Sequence, residues 1–343
     1  MDLTTLRKKA REELKGFCRV CPVCDGRACA GEVPGMGGSG TGAAFAANLE
    51  ALRRVRLHMR ALHDVKTADT STTLFGRSLA LPVLAAPMTG VVYNMGGKLS
   101  EAEFIRVIME GSVAAGTLGM SGDGADPAMF DSGLAAITAQ GGLGIPVVKP
   151  RSQEAVRERL AQAEAAGAVA VGMDIDGAGL ITMALKGQPV SPKTPAELAE
   201  LVGATKLPFL VKGIMTPDEA EIAVAAGAAG IVVSNHGGRI LDHTPGAAEV
   251  LSAIARAVRG RAVVLADGGV RTGVDVLKYL ALGADAVLLG RPLVVGAFGG
   301  GAEGVALLLR KLQAELTAAM LLTGTASVRA VSPRILCGEE GML

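Results

Sequence analysis

The chain alternates between short apolar runs and longer stretches in which apolar residues recur every three or four positions. Two of the longer stretches, 101–115 and 246–260, place apolar residues at i, i+3 and i+4, which is the period of an amphipathic helix. The short runs are almost wholly apolar, which is typical of strands covered on both faces. They lie at residues 81–87, 116–121, 144–149, 168–175, 207–213, 229–235, 261–269 and 284–290. This pattern predicts a parallel sheet with helices packed on both sides.

Eight such strand–helix units with right-handed crossovers are most economically closed into a (β/α)8 TIM barrel. The alternative is an open doubly wound sheet, whose glycine fingerprint should follow an early strand. The one G-x-G-x-x-G match, Gly35, Gly37 and Gly40, has no predicted strand before it, so we interpret it as a flexible or turn-rich segment. We therefore predict an N-terminal helix with a Cys- and Gly-rich extension at 1–61, followed by a single barrel domain at 62–343.

Composition narrows the possible partners. The formal net charge of +1 and the absence of Trp give no reason to expect nucleic acid. No run of about 18 uninterrupted apolar residues occurs, which argues against a membrane span. The N-terminal segment is charged and lacks the apolar centre of a secretory signal, so we expect a cytoplasmic protein.

Polar and charged residues collect where the predicted strands end. In a barrel these carboxyl ends meet at one mouth, which is where the chemistry of this fold is found. The last two strands end in glycines, with Arg271 and Arg291 close by. Glycine backbone together with arginine at this place favours a phosphate site. The sequence thus predicts a phosphorylated cofactor or substrate.

Several longer motifs carry a family resemblance. The segments LVKG, GIVVSNHGGRILD, LADGGVRTGVDVLKYLALGADAVLLGRP and ELTAAMLLTGTASV follow one another in the chain. In this order and spacing they resemble the FMN-dependent 2-hydroxy acid oxidases and dehydrogenases, of the glycolate oxidase and L-lactate oxidase kind. The resemblance covers about residues 62–335. It implies FMN across the barrel mouth, oxidation of a small (S)-2-hydroxy acid to the 2-oxo acid, and a homo-oligomer, commonly a tetramer.

The resemblance also implies roles for individual residues. His236 matches the base that removes the hydroxyl proton, and Asp176 matches the carboxylate that steadies the resulting imidazolium. Lys212 matches the cation beside flavin N1 and O2, and Arg239 matches the clamp on the substrate carboxylate. The cofactor-binding residues that we expect are Pro87, Met88, Thr89, Ser121, Lys149, Asp174, Lys212, Ser234, Asp267, Gly268, Gly269, Arg271, Gly290 and Arg291.

The sequence departs from the family at the substrate site. The two usual substrate tyrosines are missing, since Tyr93 and Tyr279 lie elsewhere, and no arginine follows Asp176. We expect Lys149 or Arg151 to bind the substrate as the missing cation, and Asp174 stands where a flavin-binding hydroxyl residue is usual. Two alternatives stay open: an FMN-dependent isomerase of the type 2 isopentenyl diphosphate isomerase kind, and a non-catalytic flavin-binding protein.

Four cysteines form a C-x2-C-x2-C-x4-C array near the N-terminus, outside the family resemblance. They are Cys18, Cys21, Cys24 and Cys29. In a cytoplasmic protein such clustering indicates metal or redox chemistry before disulfides. The spacing is similar to an iron–sulfur run, although the last gap is one residue longer and no proline follows. An iron–sulfur cluster, zinc and four reduced thiols are the alternatives.

Overall fold

In the computed structural model, which describes residues 1–337, eight parallel strands close into a barrel. Each strand pairs with the next along the chain, and the eighth pairs with the first, where Val287 lies opposite Val83. The strands are β1 (Val83–Met88), β2 (Gly119–Gly122), β3 (Gly144–Val148), β4 (Val171–Asp174), β5 (Phe209–Ile214), β6 (Gly230–Val233), β7 (Val263–Ala266) and β8 (Ala286–Leu289). All eight predicted strands are present, and the predicted (β/α)8 fold is confirmed.

Burial of both strand faces explains the unbroken apolar runs. Leu84, Met120 and Leu265 belong to the cluster that fills the barrel interior. Val83 and Val171 belong to the larger cluster that includes the surrounding helices. Successive strand residues point to opposite faces of the sheet. A polar residue just past the end of a strand, in step with the residues that face the interior, therefore points towards the barrel mouth.

Twelve α-helices are described within residues 1–337. They are α1 (Leu3–Glu13), α2 (Ala43–Arg54), α3 (Val91–Met95), α4 (Glu101–Ala114), α5 (Pro127–Ala139), α6 (Gln153–Ala165), α7 (Ile181–Leu185), α8 (Pro195–Gly203), α9 (Pro217–Ala225), α10 (Ala247–Ala257), α11 (Gly273–Ala281) and α12 (Arg291–Leu321). Capping boxes fix several starts: Ser100 with Glu103 begins α4, and Thr194 with Glu197 begins α8. The helices alternate with the strands as the sequence predicted.

Helix α12 is the one helix in the described part of the chain that is long and apolar enough to cross a membrane. Its backbone leaves helical geometry at Gly300 and Gly301. Of its most apolar 18-residue window, 56% is buried inside the protein, and α1, α4 and α11 pack against the helix. This burial is that of a core helix.

The N-terminal extension packs onto the barrel. Helix α1 contacts α12, and α2 contacts α10. The buried Asn48 of α2 donates to Asn235 Oδ1 at 2.8 Å, and Asp242 accepts the N–H of Ala44 at the start of α2. Both partners lie just after β6, so this loop fixes the extension at the barrel mouth.

The glycine-rich segment 35–40 is turn-rich, as predicted, and it is held in place. The N–H of Ser39 donates to the carbonyl of Gly238 at 2.9 Å. Outside the barrel, Arg56–Leu57 pairs with Leu336–Cys337, and Thr72–Leu74 pairs with Arg77–Leu79. The last six residues of the predicted 62–343 domain lie outside the described residues.

Candidate active site

A cavity at the carboxyl ends of the strands collects most of the predicted site. Its lining brings together residues from the carboxyl ends of all eight strands or the segments that follow them, and the glycine-rich segment adds Gly35 and Met36. The predicted residues that line it are Pro87, Met88, Thr89, Lys149, Lys212, His236, Arg239, Asp267, Gly268, Gly269, Arg271, Gly290 and Arg291. The predicted residues among them lie up to 204 positions apart in the chain and meet at one mouth, as the barrel topology requires.

His236 is held by its backbone and by one ring nitrogen. Its φ of +58° lies in the left-handed region, which costs a non-glycine residue about 1–3 kcal/mol unless its surroundings compensate. Its N–H donates to Ser234 Oγ at 3.0 Å, and Nδ1 lies 3.1 Å from each carboxylate oxygen of Asp176. Because an ionised carboxylate only accepts hydrogen bonds, this contact suits the tautomer with its proton on Nδ1. In that tautomer Nε2 carries a lone pair.

Beneath the histidine, Asp174 bridges two buried lysines. Its oxygens lie 2.6 Å from Lys149 Nζ and 2.8 Å from Lys212 Nζ. Burial would raise the pKa of Asp174, but the two ammonium groups outweigh it and hold this pKa far below its usual range. Burial would lower the pKa of Lys212, but Asp174 and the neighbouring carboxylates raise it above its usual value. Lys212 is therefore a fixed cation, and its Nζ lies 3.4 Å from His236 Nδ1.

The ends of β7 and β8 form a cationic pocket. Gly290 precedes α12 and provides no side-chain cap; Pro292 has no N–H and Leu293 donates to Gly290, which leaves the N–H of Arg291 at this helix start for an acceptor. Arg271 Nε is buried and has no hydrogen-bond partner among residues 1–337. Burial, and then the charges of Arg239 and Arg271, lower the pKa of Arg291. Crowded guanidinium groups beside an uncapped helix start suit a phosphate.

This pocket fits FMN on further grounds. Asp267 Oδ1 is also buried without a hydrogen-bond partner in the described part of the chain, and burial raises the pKa of this carboxyl. A sugar-like hydroxyl chain would supply the missing donor. A Cβ added to Gly268, whose φ is +98°, would lie 2.3 Å from Asn48 Oδ1, so α2 of the extension requires glycine at this end of β7. Arg271, Arg291 and the glycines would hold the phosphate, and Asp267 the chain that carries it.

Arg239 lines the cavity but is partly occupied by the extension. It donates to the carbonyls of Gly35 at 2.6 Å and Gly37 at 3.2 Å, and to Asn94 Oδ1 at 3.0 Å. Burial lowers its pKa to about 10, so the group stays charged at neutral pH. A guanidinium carries five N–H groups, and these three bonds leave two of them for a ligand.

The structure leaves five predicted residues out of the cavity lining: Asp176, which contacts His236 from behind, and four others. Ser121 faces α5, because a Cβ on Gly133 would lie 2.6 Å from its Oγ. Asp174 lies below the two lysines, and Ser234 lies below His236, whose backbone it binds. Asp174 and Ser234 thus support cavity residues from behind, and Ser121 lies against α5, whereas the prediction was direct contact with the flavin.

Arg151 is likewise absent from the lining and is committed elsewhere. Its Nε and Nη2 contact the two carboxylate oxygens of Asp123 at 3.0 and 3.2 Å, and Nη1 donates to Gln188 at 2.9 Å. A guanidinium so fully bonded in the interior cannot also bind a substrate without breaking a buried ion pair. The prediction that Arg151 supplies the missing cation therefore requires correction. The sequence around Arg151 does not indicate this ion pair, because its partner Asp123 lies in a different loop, the one after β2.

One of the two glycines between His236 and Arg239 lies against the N-terminal extension. At Gly238, whose φ is +75°, an added Cβ would lie 2.3 Å from the backbone nitrogen of Phe45. The close approach at this position is therefore to α2 of the extension.

Sequence reasoning missed Tyr93, which lines the cavity from α3. Its hydroxyl lies 3.5 Å from Met129 Sδ, and burial raises its pKa to about 12, so it stays protonated. Asn94 and Asp123 also line the cavity. The sequence did offer one signal for them: each of these residues lies in the segment directly after a barrel strand.

The four N-terminal cysteines line a second cavity, which shares Met36, Arg271 and Arg291 with the first. All four are free thiols and half-buried. They lie outside the barrel mouth, beyond the pair of arginines.

A barrel mouth with a cationic phosphate pocket, a fixed lysine and a histidine–carboxylate pair defines a flavin-dependent oxidoreductase. Comparison with known proteins gives the family. The sequence profile of the FMN-dependent dehydrogenases matches residues 35–186 and 182–338, so the chain belongs to that family and is an FMN-dependent oxidoreductase acting on CH–OH groups.

Individual relatives agree with this assignment. The chain is 33% identical over 334 residues to the 2-hydroxyacid oxidase of Dictyostelium discoideum, covering 88% of this chain and 84% of that protein. It is 34% identical over 322 residues to an L-lactate oxidase of Lacticaseibacillus rhamnosus (strain LMS2-1), covering 84% of each. A crystal structure of mandelate oxidase with (S)-2-phenylpropionate matches with a TM-score of 0.78 and 33% identity, covering 98% of this chain and 97% of that one. The isomerase alternative is not favoured.

Proposed function

We propose that this protein oxidises a small (S)-2-hydroxy acid to the corresponding 2-oxo acid. The observation that carries the proposal is the pairing of His236 Nδ1 with both oxygens of Asp176, on a histidine that lines the cavity. Relatives named for the oxidation of 2-hydroxy acids and lactate support it.

Different residues act on the hydroxyl proton and on the negative charge of the substrate. FMN, when bound, accepts the hydrogen of C2 as a hydride. His236 takes the hydroxyl proton on Nε2, and Asp176 stabilises the resulting imidazolium through Nδ1. Lys212, kept charged by Asp174, places a fixed cation at the mouth where negative charge develops.

The substrate carboxylate is bound by Arg239 and Tyr93. The two free N–H groups of Arg239 and the protonated hydroxyl of Tyr93 are donors that line the same cavity. Tyr93 thus takes the place of the tyrosines that the sequence lacks. Lys149 stays with Asp174 at 2.6 Å and serves the lysine pair.

Anaerobic mixing of the FMN-loaded protein with lactate, glycolate and mandelate tests the proposal. At least one acid should bleach the flavin absorbance and yield the 2-oxo acid. His236→Ala should slow this step about a hundred- to ten-thousand-fold. His243→Ala is the matched control, because His243 lies in the same loop but its side chain is 74% exposed. Failure of all three acids to bleach bound flavin, or equal rates in the two variants, contradicts the proposal.

We further propose a homo-oligomer. The exposed apolar side chains of Met59, Leu62 and Leu322 lie close together, because the N–H of Arg60 donates to the carbonyl of Leu322 at 2.8 Å. Such a patch favours a protein interface. Size-exclusion chromatography with light scattering should give a mass several times that of one chain, and Leu62→Glu should lower it. A monomeric wild-type protein overturns this proposal.

A further inference from the structure

The cavity beside the barrel mouth contains all four N-terminal cysteines. It measures about 400 Å³ and lies between α1, the 17–29 loop and the start of α12. The four thiols come from a stretch of 12 residues and are all half-buried. FMN chemistry in the barrel mouth leaves this cavity and its thiols without a role.

The loop that carries the thiols is fixed from several sides. Arg7 of α1 donates to the carbonyls of Val20 and Cys21 at 3.2 and 2.7 Å. The N–H of Val20 donates to Cys18 Sγ at 3.4 Å, and Arg271 donates to Cys24 Sγ at 3.4 Å. Hydrogen bonds from N–H groups to sulfur stabilise thiolates and tune the clusters that thiolates bind. The loop is therefore held in a conformation in which two of its cysteine sulfurs accept hydrogen bonds.

The charge around the cavity suits an anionic occupant. Arg7, Arg271 and Arg291 line it and have no carboxylate partner among the described residues, whereas Arg19 and Lys311 are paired with Glu32 and Glu315. Four thiolates around an iron–sulfur core carry a net negative charge. Arg7, together with Arg271 and Arg291 at the boundary with the FMN pocket, would offset part of it.

The spacing of the sulfurs separates two kinds of metal site. A tetrahedral zinc ion with Zn–S bonds of about 2.3 Å needs its sulfurs about 3.8 Å apart. Among residues 1–337, no three cysteine sulfurs lie within 4.8 Å of one another, although all four share one cavity. A cluster of several irons holds its cysteines further apart than one ion does. The sulfurs are therefore not gathered around a single-ion centre, and a cavity of about 400 Å³ has room for a larger occupant.

We propose that Cys18, Cys21, Cys24 and Cys29 bind a [4Fe–4S] cluster. Met36, Arg271 and Arg291 line both cavities, so this second cofactor would stand one layer of side chains from the FMN pocket.

The test uses the full chain purified without oxygen. Iron, acid-labile sulfide and zinc are measured per chain, both as purified and after anaerobic incubation with ferrous iron, sulfide and a thiol, and dithionite-reduced protein is examined by electron paramagnetic resonance. We expect about four irons and four sulfides per chain. Cys21→Ser and Cys24→Ser should lose at least four-fifths of the iron. Cys337→Ser, which changes an exposed thiol beside His58, should keep it.

Several results would overturn the proposal. These are no iron or sulfide under either condition, stoichiometric zinc in their place, disulfides among the four cysteines, or an equal iron loss in Cys337→Ser. If the serine variants lose their helical circular dichroism, wild-type protein is stripped of iron with chelator instead. That protein must stay folded and recover the cluster signal with added iron and sulfide, and failure to recover it also overturns the proposal.

Discussion

Asp174→Asn tests the buried charge cluster on which the fixed cation depends. The change keeps the size of the side chain and removes the one carboxylate that lies between Lys149 and Lys212. At an effective dielectric constant of about 20, oxygen–nitrogen separations of 2.6 and 2.8 Å each correspond to about 6 kcal/mol of attraction. Desolvation of the three charges offsets much of this sum.

The net loss follows from what the variant leaves behind. Two ammonium groups would stay buried without the carboxylate that they share, and breaking a buried ion pair by removing one partner costs about 3–5 kcal/mol. That is a large part of a typical unfolding free energy of about 5–15 kcal/mol. The pKa of Asp174 is lowered on folding, so its contribution is present above the unfolded value and disappears as the pH falls. The gap between wild type and variant should therefore narrow below about pH 4.

The measurement is urea unfolding of the FMN-free proteins at pH 7, followed by circular dichroism. The shift in midpoint at unchanged m gives the change in unfolding free energy. Glu110→Gln is the control, because Glu110 pairs with Arg106 on the surface of α4 with both side chains at least one-third exposed. Its loss should be about 0.5 kcal/mol or less. A loss below about 1 kcal/mol in Asp174→Asn, close to that of the control, would show that the lysines do not need the carboxylate.

Three further changes probe the cavity. Tyr93→Phe should raise KM for the best acid about tenfold with little change in kcat, since it removes one hydrogen bond to a charged group, worth about 1.5–3 kcal/mol; an unchanged KM excludes the contact. Gly268→Ala should weaken FMN retention on a desalting column, because its Cβ would lie 2.3 Å from Asn48 Oδ1 and its φ is +98°, so the loop that would hold the phosphate has to move. Normal retention refutes this requirement for glycine. Asp267→Asn should raise the melting temperature of FMN-free protein at pH 7, because the pKa of Asp267 is raised on folding and burial disfavours its ionised form. This gain in melting temperature should vanish below about pH 4, and the variant should bind FMN more weakly. A lower melting temperature at pH 7 contradicts the sign.

The sequence by itself determined the barrel and most of the cavity. Unbroken apolar runs specify strands buried on both faces, and eight of them leave few arrangements other than a closed barrel. Because the carboxyl ends of parallel strands share one mouth, residues at those ends, such as Lys212, His236 and Arg291, could be brought together without coordinates. For this reason, residues that line the cavity could be named from the sequence.

Only the tertiary structure decided which side chains at the mouth are free. Arg151 follows a strand just as Lys149 does, yet it is bound to Asp123 of a different loop. Tyr93 reaches the cavity through a short helix that the sequence pattern did not indicate. Gly238 is required by α2, which lies almost 200 positions earlier in the chain. Strand periodicity is a local property of the chain, whereas these assignments depend on contacts between distant loops, and pairings of this kind are set by packing rather than by local sequence.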